Sequence, residues 1–336
     1  MITTFGNVLR VICLYVMLSG FVSVCYADGL GNVRSLSVAD GLSNDFVLDM
    51  AADGNGFVWV GTKSGLNKIT GFGILKYTEK NSRLASNFVN ALYYEKTSRT
   101  MWVGTLNGIS IVDCMTGQMS VLNTSNGLAQ NAIADISPAA DGGVWILYMN
   151  NGVQYYDVRH KRLMPQQSYT LHTLHTSSHC CMDNGAGQLY IGHNGEGMSV
   201  VDLKRNRIER FRHNSGDPES VPSDNVRSIV CDLSGNVWVG TNNGLALFDP
   251  LARKFHRVAS PDIGDNIYSM YLASDGNLLV ACNLNGVSVV NTRNVALGDV
   301  ASVAVSKLHI DNAACNAARA IPVSYTHLTL PTNREV

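Results

Sequence analysis

Short apolar runs, separated by polar turns that contain glycine, follow one another along most of this chain. The stretch GNVWVGTNNGLALFDP, from Gly235 to Pro250, shows an apolar strand, an Asn-Asn-Gly turn and a second apolar strand. Residues 56–70, GFVWVGTKSGLNKIT, have nearly the same sequence. Alternating apolar residues with frequent glycine are typical of strands joined by tight turns, and they exclude paired helices as the repeating unit.

The same strand-turn-strand sequence pattern occurs six times, at intervals of 41 to 48 residues. Aligned on the W-V-G-T strand, the copies begin at Val58, Met101, Val144, Leu189, Val237 and Leu278. Before this strand comes another, such as FVLDMAAD, and dipeptides such as Asp53-Gly54 and Ser234-Gly235 predict a two-residue hairpin between the two. A third strand such as GLALFD and a more polar fourth, such as KFHRVA, complete the unit. Four antiparallel strands per repeat of this length predict a propeller blade.

The predicted fold is therefore all-β, a β-propeller with four-stranded antiparallel blades, of which six are recognisable. We place the propeller at residues 33–298. The segment Val33–Val38 precedes the first blade and is interpreted as an orphan outer strand that completes the last blade and closes the ring. Residues 299–322 are assigned to an incomplete blade or to the start of a next domain.

The two ends of the chain do not follow the repeat pattern. Residues 1–27 combine one early positive charge, a short apolar run and small residues at Cys25 and Ala27, which predicts a secretory signal cleaved after Ala27. An uncleaved anchor is the alternative. Residues 323–336, SYTHLTLPTNREV preceded by Val323, resemble translated adapter sequence and are interpreted as a non-native tail.

Charge and motif content narrow the function. The formal net charge is −1 and no block of like charges occurs, which argues against a nucleic-acid surface or a polybasic membrane patch. No G-x-S-x-G, H-E-x-x-H or Walker loop is present, so we expect neither catalysis nor a cofactor. A group of histidines and cysteines is a candidate for metal ligation. Its spacing does not match a zinc-binding pattern, so we expect no metal. Its members are His172, His175, His179, Cys180, Cys181 and His193.

The strings GNVWVGTNNGLALFDP and DGLSNDFVLDMAADGNGFVWVGTKSGLNKITG resemble two-component regulator propeller repeats. The resemblance covers about residues 33–291. It implies the periplasmic sensor of a hybrid two-component regulator of the Bacteroidetes type, which detects glycan-derived ligands and usually builds rings of seven blades. It also implies a homodimer, and, beyond this chain, further blades, an immunoglobulin-like domain, a membrane helix, a histidine kinase, a receiver and a DNA-binding domain. We therefore expect membrane attachment only through that missing part.

Two groups of residues are candidates for ligand contact. Asparagines recur where the inner strand of each blade begins, and they serve either polar readout of a ligand or local hydrogen bonding of the entry loop. They are Asn44, Asn87, Asn131, Asn225 and Asn266. Departures from the repeat form the second group, in which Tyr148 and His193 stand where other blades have threonine. We interpret these two residues as candidates for ligand contact, and neutral drift is the alternative explanation of the difference. Trp59, Trp102, Trp145 and Trp238 share one repeat position and are assigned to packing between blades rather than to a sugar platform.

The favoured function is ligand sensing in the periplasm, with an oligosaccharide or other small ligand as the partner and binding as the only activity of this chain. Two alternatives remain open. One is a secreted propeller enzyme acting on sugars, of the lyase or lactonase type, which would need channel-lining His, Glu or Asp at non-repeated positions. The other is a protein-interaction scaffold. Fold alone does not decide among them.

Overall fold

The computed structural model describes residues 11–16, 21–26, 34–150, 152–164, 178–282, 286–293, 295, 300, 303–308 and 317–322. Three strands come first in the chain: β1 (Val11–Val16), β2 (Phe21–Tyr26) and β3 (Arg34–Ser37). Helix in the described ranges is confined to short 3₁₀ turns such as Val38–Asp40 and Thr124–Asn126. In these ranges, no helix combines the length and the apolar character needed to cross a membrane.

Six four-stranded antiparallel blades follow in chain order. Blades one to three consist of β4 (Val47–Ala52), β5 (Val58–Thr62), β6 (Gly65–Thr70), β7 (Gly73–Tyr77), β8 (Val89–Glu95), β9 (Thr100–Thr105), β10 (Gly108–Asp113), β11 (Met119–Leu122), β12 (Ile133–Pro138), β13 (Val144–Tyr148), β14 (Val153–Asp157) and β15 (Arg162–Leu163). Blades four to six consist of β16 (Ser178–Asp183), β17 (Gln188–His193), β18 (Met198–Asp202), β19 (Arg207–Phe211), β20 (Val226–Cys231), β21 (Val237–Thr241), β22 (Gly244–Asp249), β23 (Lys254–Arg257), β24 (Ile267–Leu272), β25 (Asn277–Cys282), β26 (Gly286–Asn291) and β27 (Val305–Leu308). The predicted all-β propeller of four-stranded blades is confirmed.

The first strands of successive blades contact one another around the ring, so they are the inner strands. The glycine of W-V-G-T lies against the inner strand of the next blade. A Cβ on Gly61 would stand 2.5 Å from Val89 Cγ1, and one on Gly240 would stand 2.8 Å from Ile267 Cγ2. Real Cβ atoms do not tolerate such distances, so glycine recurs in the motif because neighbouring blades approach closely at this point.

The hairpin between the first two strands differs from the sequence prediction. Asp53 N donates to Phe57 O at 2.9 Å, and Asp232 N donates to Asn236 O at 2.9 Å, so three residues rather than two form the loop. The last loop residue is Gly56 in blade one and Gly235 in blade five, with φ of +80° and +88°. The two-residue prediction is wrong because the left-handed position, which favours glycine, falls third in the loop.

The terminal segments form a further four-stranded sheet. Its strand order is β28-β1-β2-β3, where β28 is Ala317–Pro322. β28 contacts the inner strands β24 and β4, and β3 pairs with β2 as the outer strand. Of the orphan strand predicted at Val33–Val38, Arg34–Ser37 form an outer strand as predicted, but in the sheet between blades six and one rather than in blade six. Val38 begins a 3₁₀ turn, and Val33 lies outside the described residues. β1 and β2 coincide with residues assigned to a signal peptide, whose cleavage stays a prediction, and the tail at 323–336 lies outside the described residues.

Candidate functional site: the entry face of the propeller

One face of the propeller brings together the loop before each inner strand and the turn after each W-V-G-T strand; we call it the entry face. Asn242 N donates to Asn225 O at 3.2 Å within blade five. Gly244 N donates to Asp265 O at 2.6 Å, which links blade five to the loop that enters blade six. These bonds place the two kinds of segment on one face, as chain geometry predicts.

Three of the predicted asparagines make local hydrogen bonds with their side chains. Asn44 Oδ1 accepts from Phe46 N at 2.7 Å, and its Nδ2 donates to Ser64 Oγ at 3.0 Å. Asn87 Oδ1 accepts from Glu79 N at 2.9 Å. These two side chains hold the entry loops in place, so their geometry fits the local hydrogen-bonding interpretation.

Asn131 behaves in the same way as these two. Its Oδ1 accepts from Thr124 N at 2.9 Å, and its Nδ2 donates to Asn107 Oδ1 at 3.3 Å. A ligand contact from Asn131 would therefore have to share a side chain that already serves the loop. That contact, like those of Asn44 and Asn87, stays a prediction.

The two remaining asparagines are placed differently. Asn225 is half-buried, and its backbone oxygen accepts the bond from Asn242. Asn266 is also half-buried, and its side-chain Oδ1 is buried without a hydrogen-bond donor among the described residues. A buried amide oxygen that lacks a donor is costly, so Asn266 is not explained by local hydrogen bonding in the way that Asn44, Asn87 and Asn131 are.

Tyr148 is fully buried beneath the entry face. Its hydroxyl donates to Gln154 Oε1 at 2.5 Å and accepts from Ala129 N at 3.1 Å. Burial raises the pKa of Tyr148 to about 12, so the hydroxyl is protonated at neutral pH. The equivalent Thr62 and Thr105 close their own turns through Oγ1, so Tyr148 replaces a turn bond by a longer-range one.

His193 is buried as completely as Tyr148. Its Nδ1 lies 3.2 Å from Ser178 Oγ and its Nε2 lies 2.9 Å from Ser199 Oγ. Burial, with smaller contributions from the positive charges of Arg210 and His179, lowers the pKa of His193 to about 4. A neutral, enclosed imidazole with both nitrogens engaged is suited to holding strands together. Direct ligand contact by Tyr148 or His193 stays a prediction that their burial does not favour.

The four tryptophans are buried between blades, as the packing interpretation predicts. Trp59 and Trp238 are 1% and 0% exposed, and Trp102 and Trp145 are 3% and 7% exposed. They offer no open aromatic platform to a sugar. Within the described ranges, no group of three His, Cys, Asp or Glu residues could hold a metal ion, and His172 and His175 lie outside those ranges.

A repeated polar residue in the third strand was missed by the sequence analysis. It stands two residues after the turn glycine, and it is Asn67, Ser110, Gln154, Ser199 and Ser288 in blades one, two, three, four and six. Asn67 Oδ1 accepts from Ser43 N at 2.8 Å, and Gln154 Oε1 accepts from Ala129 N at 3.1 Å. These side chains fasten the entry loops. The signal was present, as a recurring polar residue within an otherwise apolar strand.

The sequence analysis also missed a β-bulge at the second residue of every inner strand in the six blades. A bulge adds an unpaired residue and redirects its side chain, and bulges are frequent beside binding sites. All six of these residues are half-buried, and their chemistry varies from blade to blade. They are Leu48, Asn90, Ala134, His179, Arg227 and Tyr268.

Two neighbouring bulge residues contact each other across the boundary between blades five and six. The Arg227 guanidinium carbon lies 4.9 Å from the centre of the Tyr268 ring. Arg227 Nε also donates to Asn242 Oδ1 at 2.6 Å. Next to this contact, Met270 N donates a hydrogen bond of 3.1 Å to Ser228 Oγ and joins the inner strands of blades five and six. The arginine is therefore held in a defined orientation at the entry face, with its charge next to an aromatic ring.

Comparison with known proteins agrees with this fold. The family model described as "Two component regulator propeller" matches residues 41–64 and 220–243, which are copies in blades one and five. No curated protein matches the chain in sequence.

Three solved structures show the extent of the likeness. The extracellular domain assigned to the hybrid two-component system BT3049 of B. thetaiotaomicron is 28% identical, with a TM-score of 0.66 over 77% of this chain and 35% of that one. The extracellular domain assigned to BT4673 of the same organism is 16% identical, with a TM-score of 0.58 over 87% of this chain and 39% of that one. PorZ of Porphyromonas gingivalis, a type-IX secretion component, is 16% identical, with a TM-score of 0.59 over 84% of this chain and 43% of that one.

The likenesses at 16% identity show the fold alone, and this chain spans less than half the length of each of these three chains. The fold and its repeats define a repeat-built β-propeller with four-stranded antiparallel blades. Two of its repeats match the two-component regulator propeller model, and the chain is similar to the extracellular domain assigned to BT3049.

Proposed function

We propose that this chain is the ligand-sensing part of a hybrid two-component receptor, located in the periplasm, and that its ligand is an oligosaccharide. The observation that carries the proposal is the likeness, at 28% identity over 77% of the chain, to an extracellular domain of such a system. Entry-face residues that vary from blade to blade on a constant scaffold support it, because binding residues are commonly placed on loops that a rigid fold positions.

Sensing by this propeller consists of binding alone. A ligand changes a receptor only through the difference between its affinities for two arrangements of that receptor. We propose that an oligosaccharide at the entry face favours one arrangement of two receptor copies and so changes the activity of a kinase outside this chain. Membrane attachment, homodimerisation and kinase activity belong to that proposal.

A transcriptional reporter tests this function. The receptor that contains this propeller is expressed with a reporter under the promoter that it controls, and a panel of neutral and acidic oligosaccharides is supplied. At least one oligosaccharide should induce the reporter, and the response should be lost when residues 33–308 are deleted. A response that survives this deletion would show that another part of the receptor senses the ligand.

A second variant guards against loss through misfolding. Replacement of exposed Arg257 by glutamine should leave the response unchanged, because this side chain lies on the outer strand of blade five and not on the inner strand that carries the bulge. Equal amounts of receptor in the membrane fraction must be verified for each variant.

A further inference from the structure

The strongest unexplained feature of the entry face is the state of Arg227. It is half-buried at the bulge of β20, where its Nε donates to Asn242 Oδ1 and its guanidinium carbon lies over the Tyr268 ring. Several other cations pair with carboxylates, as Arg205 does with Asp202 at 3.0 Å and Lys254 with Glu219 at 2.6 Å.

Arg227 has no such partner. Among the residues that the structure describes, no carboxylate forms an ion pair with its guanidinium. Withdrawing a charged group from water without a counter-charge is unfavourable. A protein that nevertheless holds an arginine in a fixed, half-buried position keeps that charge available for an anion that arrives from outside.

The contacts of Arg227 also decide which part of it is available. Asn242 accepts from Nε, and the Tyr268 ring lies 4.9 Å from the guanidinium carbon. Within the described part of the chain, the two terminal nitrogens make no hydrogen bond and form a planar pair of donors. Such a pair matches the two oxygens of a carboxylate in a bidentate arrangement, which is the geometry in which arginine is most selective.

An arginine that is held in place without a counter-charge and offers two parallel donors matches the carboxylate of an acidic sugar. Asn266 precedes Tyr268 by two residues, but its Oδ1 is buried, so we assign it no ligand contact.

The geometry points to a subsite for a uronic acid residue at the boundary of blades five and six, with its carboxylate on Arg227. Tyr268 and Asn242 orient the guanidinium. This subsite rests on the proposed oligosaccharide-sensing function and gives it a ligand class, a saccharide that carries a carboxylate.

Calorimetric titration of the purified chain at pH 7 tests the subsite. The probes are α-1,4-linked digalacturonate and its neutral counterpart galactobiose, which differ only in the carboxylates. Digalacturonate should bind at least tenfold more tightly than galactobiose. Equal affinities for the two probes would overturn the subsite.

Variants assign the difference to Arg227. Arg227→Gln should weaken digalacturonate binding about tenfold to a hundredfold, the usual effect of losing a charge-assisted hydrogen-bonded pair, and leave galactobiose binding unchanged. Arg257→Gln removes the same charge from the outer strand of the same blade and should change neither. Arg227→Lys keeps the charge without the planar pair of donors, and it should also lose most of the preference. Undiminished digalacturonate binding by either Arg227 variant would refute the assignment.

Two further outcomes separate the subsite from the function on which it rests. A 6-O-sulfated galactobiose tests the other common anionic sugar; if it binds more tightly than digalacturonate in an Arg227-dependent way, the carboxylate assignment is wrong. If neutral oligosaccharides bind and the acidic probe has no advantage, the subsite fails while oligosaccharide sensing stands. If no saccharide binds the wild-type chain, both fail.

Discussion

The indole Nε1 of Trp238 donates a hydrogen bond of 2.8 Å to Asp232 Oδ2, the carboxylate that also shapes the preceding hairpin loop. Blade one repeats the arrangement, with Trp59 Nε1 at 2.9 Å from Asp53 Oδ2. In both blades the turn aspartate satisfies the one polar atom of a large buried side chain. The tryptophan of the repeat therefore packs between blades and cannot also present its ring to a ligand.

Trp238→Ala should destabilise the propeller by about 3–5 kcal/mol, because it removes a fully buried indole and leaves a cavity. Urea unfolding followed by circular dichroism measures the change. Trp238→Phe keeps most of the apolar volume but removes the indole donor to Asp232 Oδ2, which retains the bond from Asn236 Nδ2, so a smaller loss separates packing from the hydrogen bond. A loss below about 1 kcal/mol for the alanine variant would mean that the indole is not part of the core.

Gly240→Ala should cost about 1–3 kcal/mol, because its Cβ would stand 2.8 Å from Ile267 Cγ2 in the next blade. Gly216→Ala is the matched control. Gly216 is exposed, and the nearest atom to its added Cβ is the flexible side chain of Asn214 at 3.4 Å. A Gly240 variant as stable as the Gly216 variant would contradict the close approach of blades five and six.

Stability should fall with acid through His193. Burial, then Arg210 and His179, lowers the pKa of His193 from 6.5 to about 4 in the folded chain. The unfolded state binds the proton first, so this contribution is complete above about pH 6.5 and is lost progressively as the pH falls towards 4. The loss between pH 7 and pH 4.5 is about 2–3 kcal/mol for this group.

The His193→Gln variant isolates this effect. Glutamine retains hydrogen-bonding capacity between Ser178 and Ser199 but does not titrate in this range. Urea unfolding at both pH values should show a smaller acid-induced loss for the variant than for the wild type. The same pH dependence in both chains would show that His193 is solvated or charged in the folded state.

Removal of residues 1–27 should promote self-association. The last sheet pairs β28 with β1 and β2 with β3, so without β1 and β2 its remaining strands lose their partners. Unpaired strand edges recruit strands from other chains. Size-exclusion chromatography of residues 28–336 against the whole chain should show larger species for the shorter one. A sharp monomer with one cooperative melt for residues 28–336 would mean that the six blades close without this sheet.

The repeat made the fold predictable, but the same regularity hid the site. W-V-G-T strands at constant spacing predict four-stranded blades, and the structure confirms them. Strict strand alternation gives no hint of a bulge, so nothing in the sequence distinguishes Arg227 and Tyr268 from ordinary strand residues. Tyr148 and His193 stood out in sequence because they break the repeat, yet burial and tertiary hydrogen bonds explain both. Asn266 was found for its repeat position, while its unsatisfied oxygen is visible only in three dimensions.

The central claim is that this propeller binds oligosaccharides, and the melting temperature of the purified chain across a panel of plant and host glycan fragments tests it most directly. A bound ligand stabilises the native state by RT ln(1 + [L]/Kd), or about 2.7 kcal/mol at a hundred times Kd. At least one fragment should raise the melting temperature in proportion to the logarithm of its concentration. If no fragment shifts the melt while the receptor that contains this propeller still responds to the same fragments, the ligand site lies elsewhere and the entry-face residues are structural.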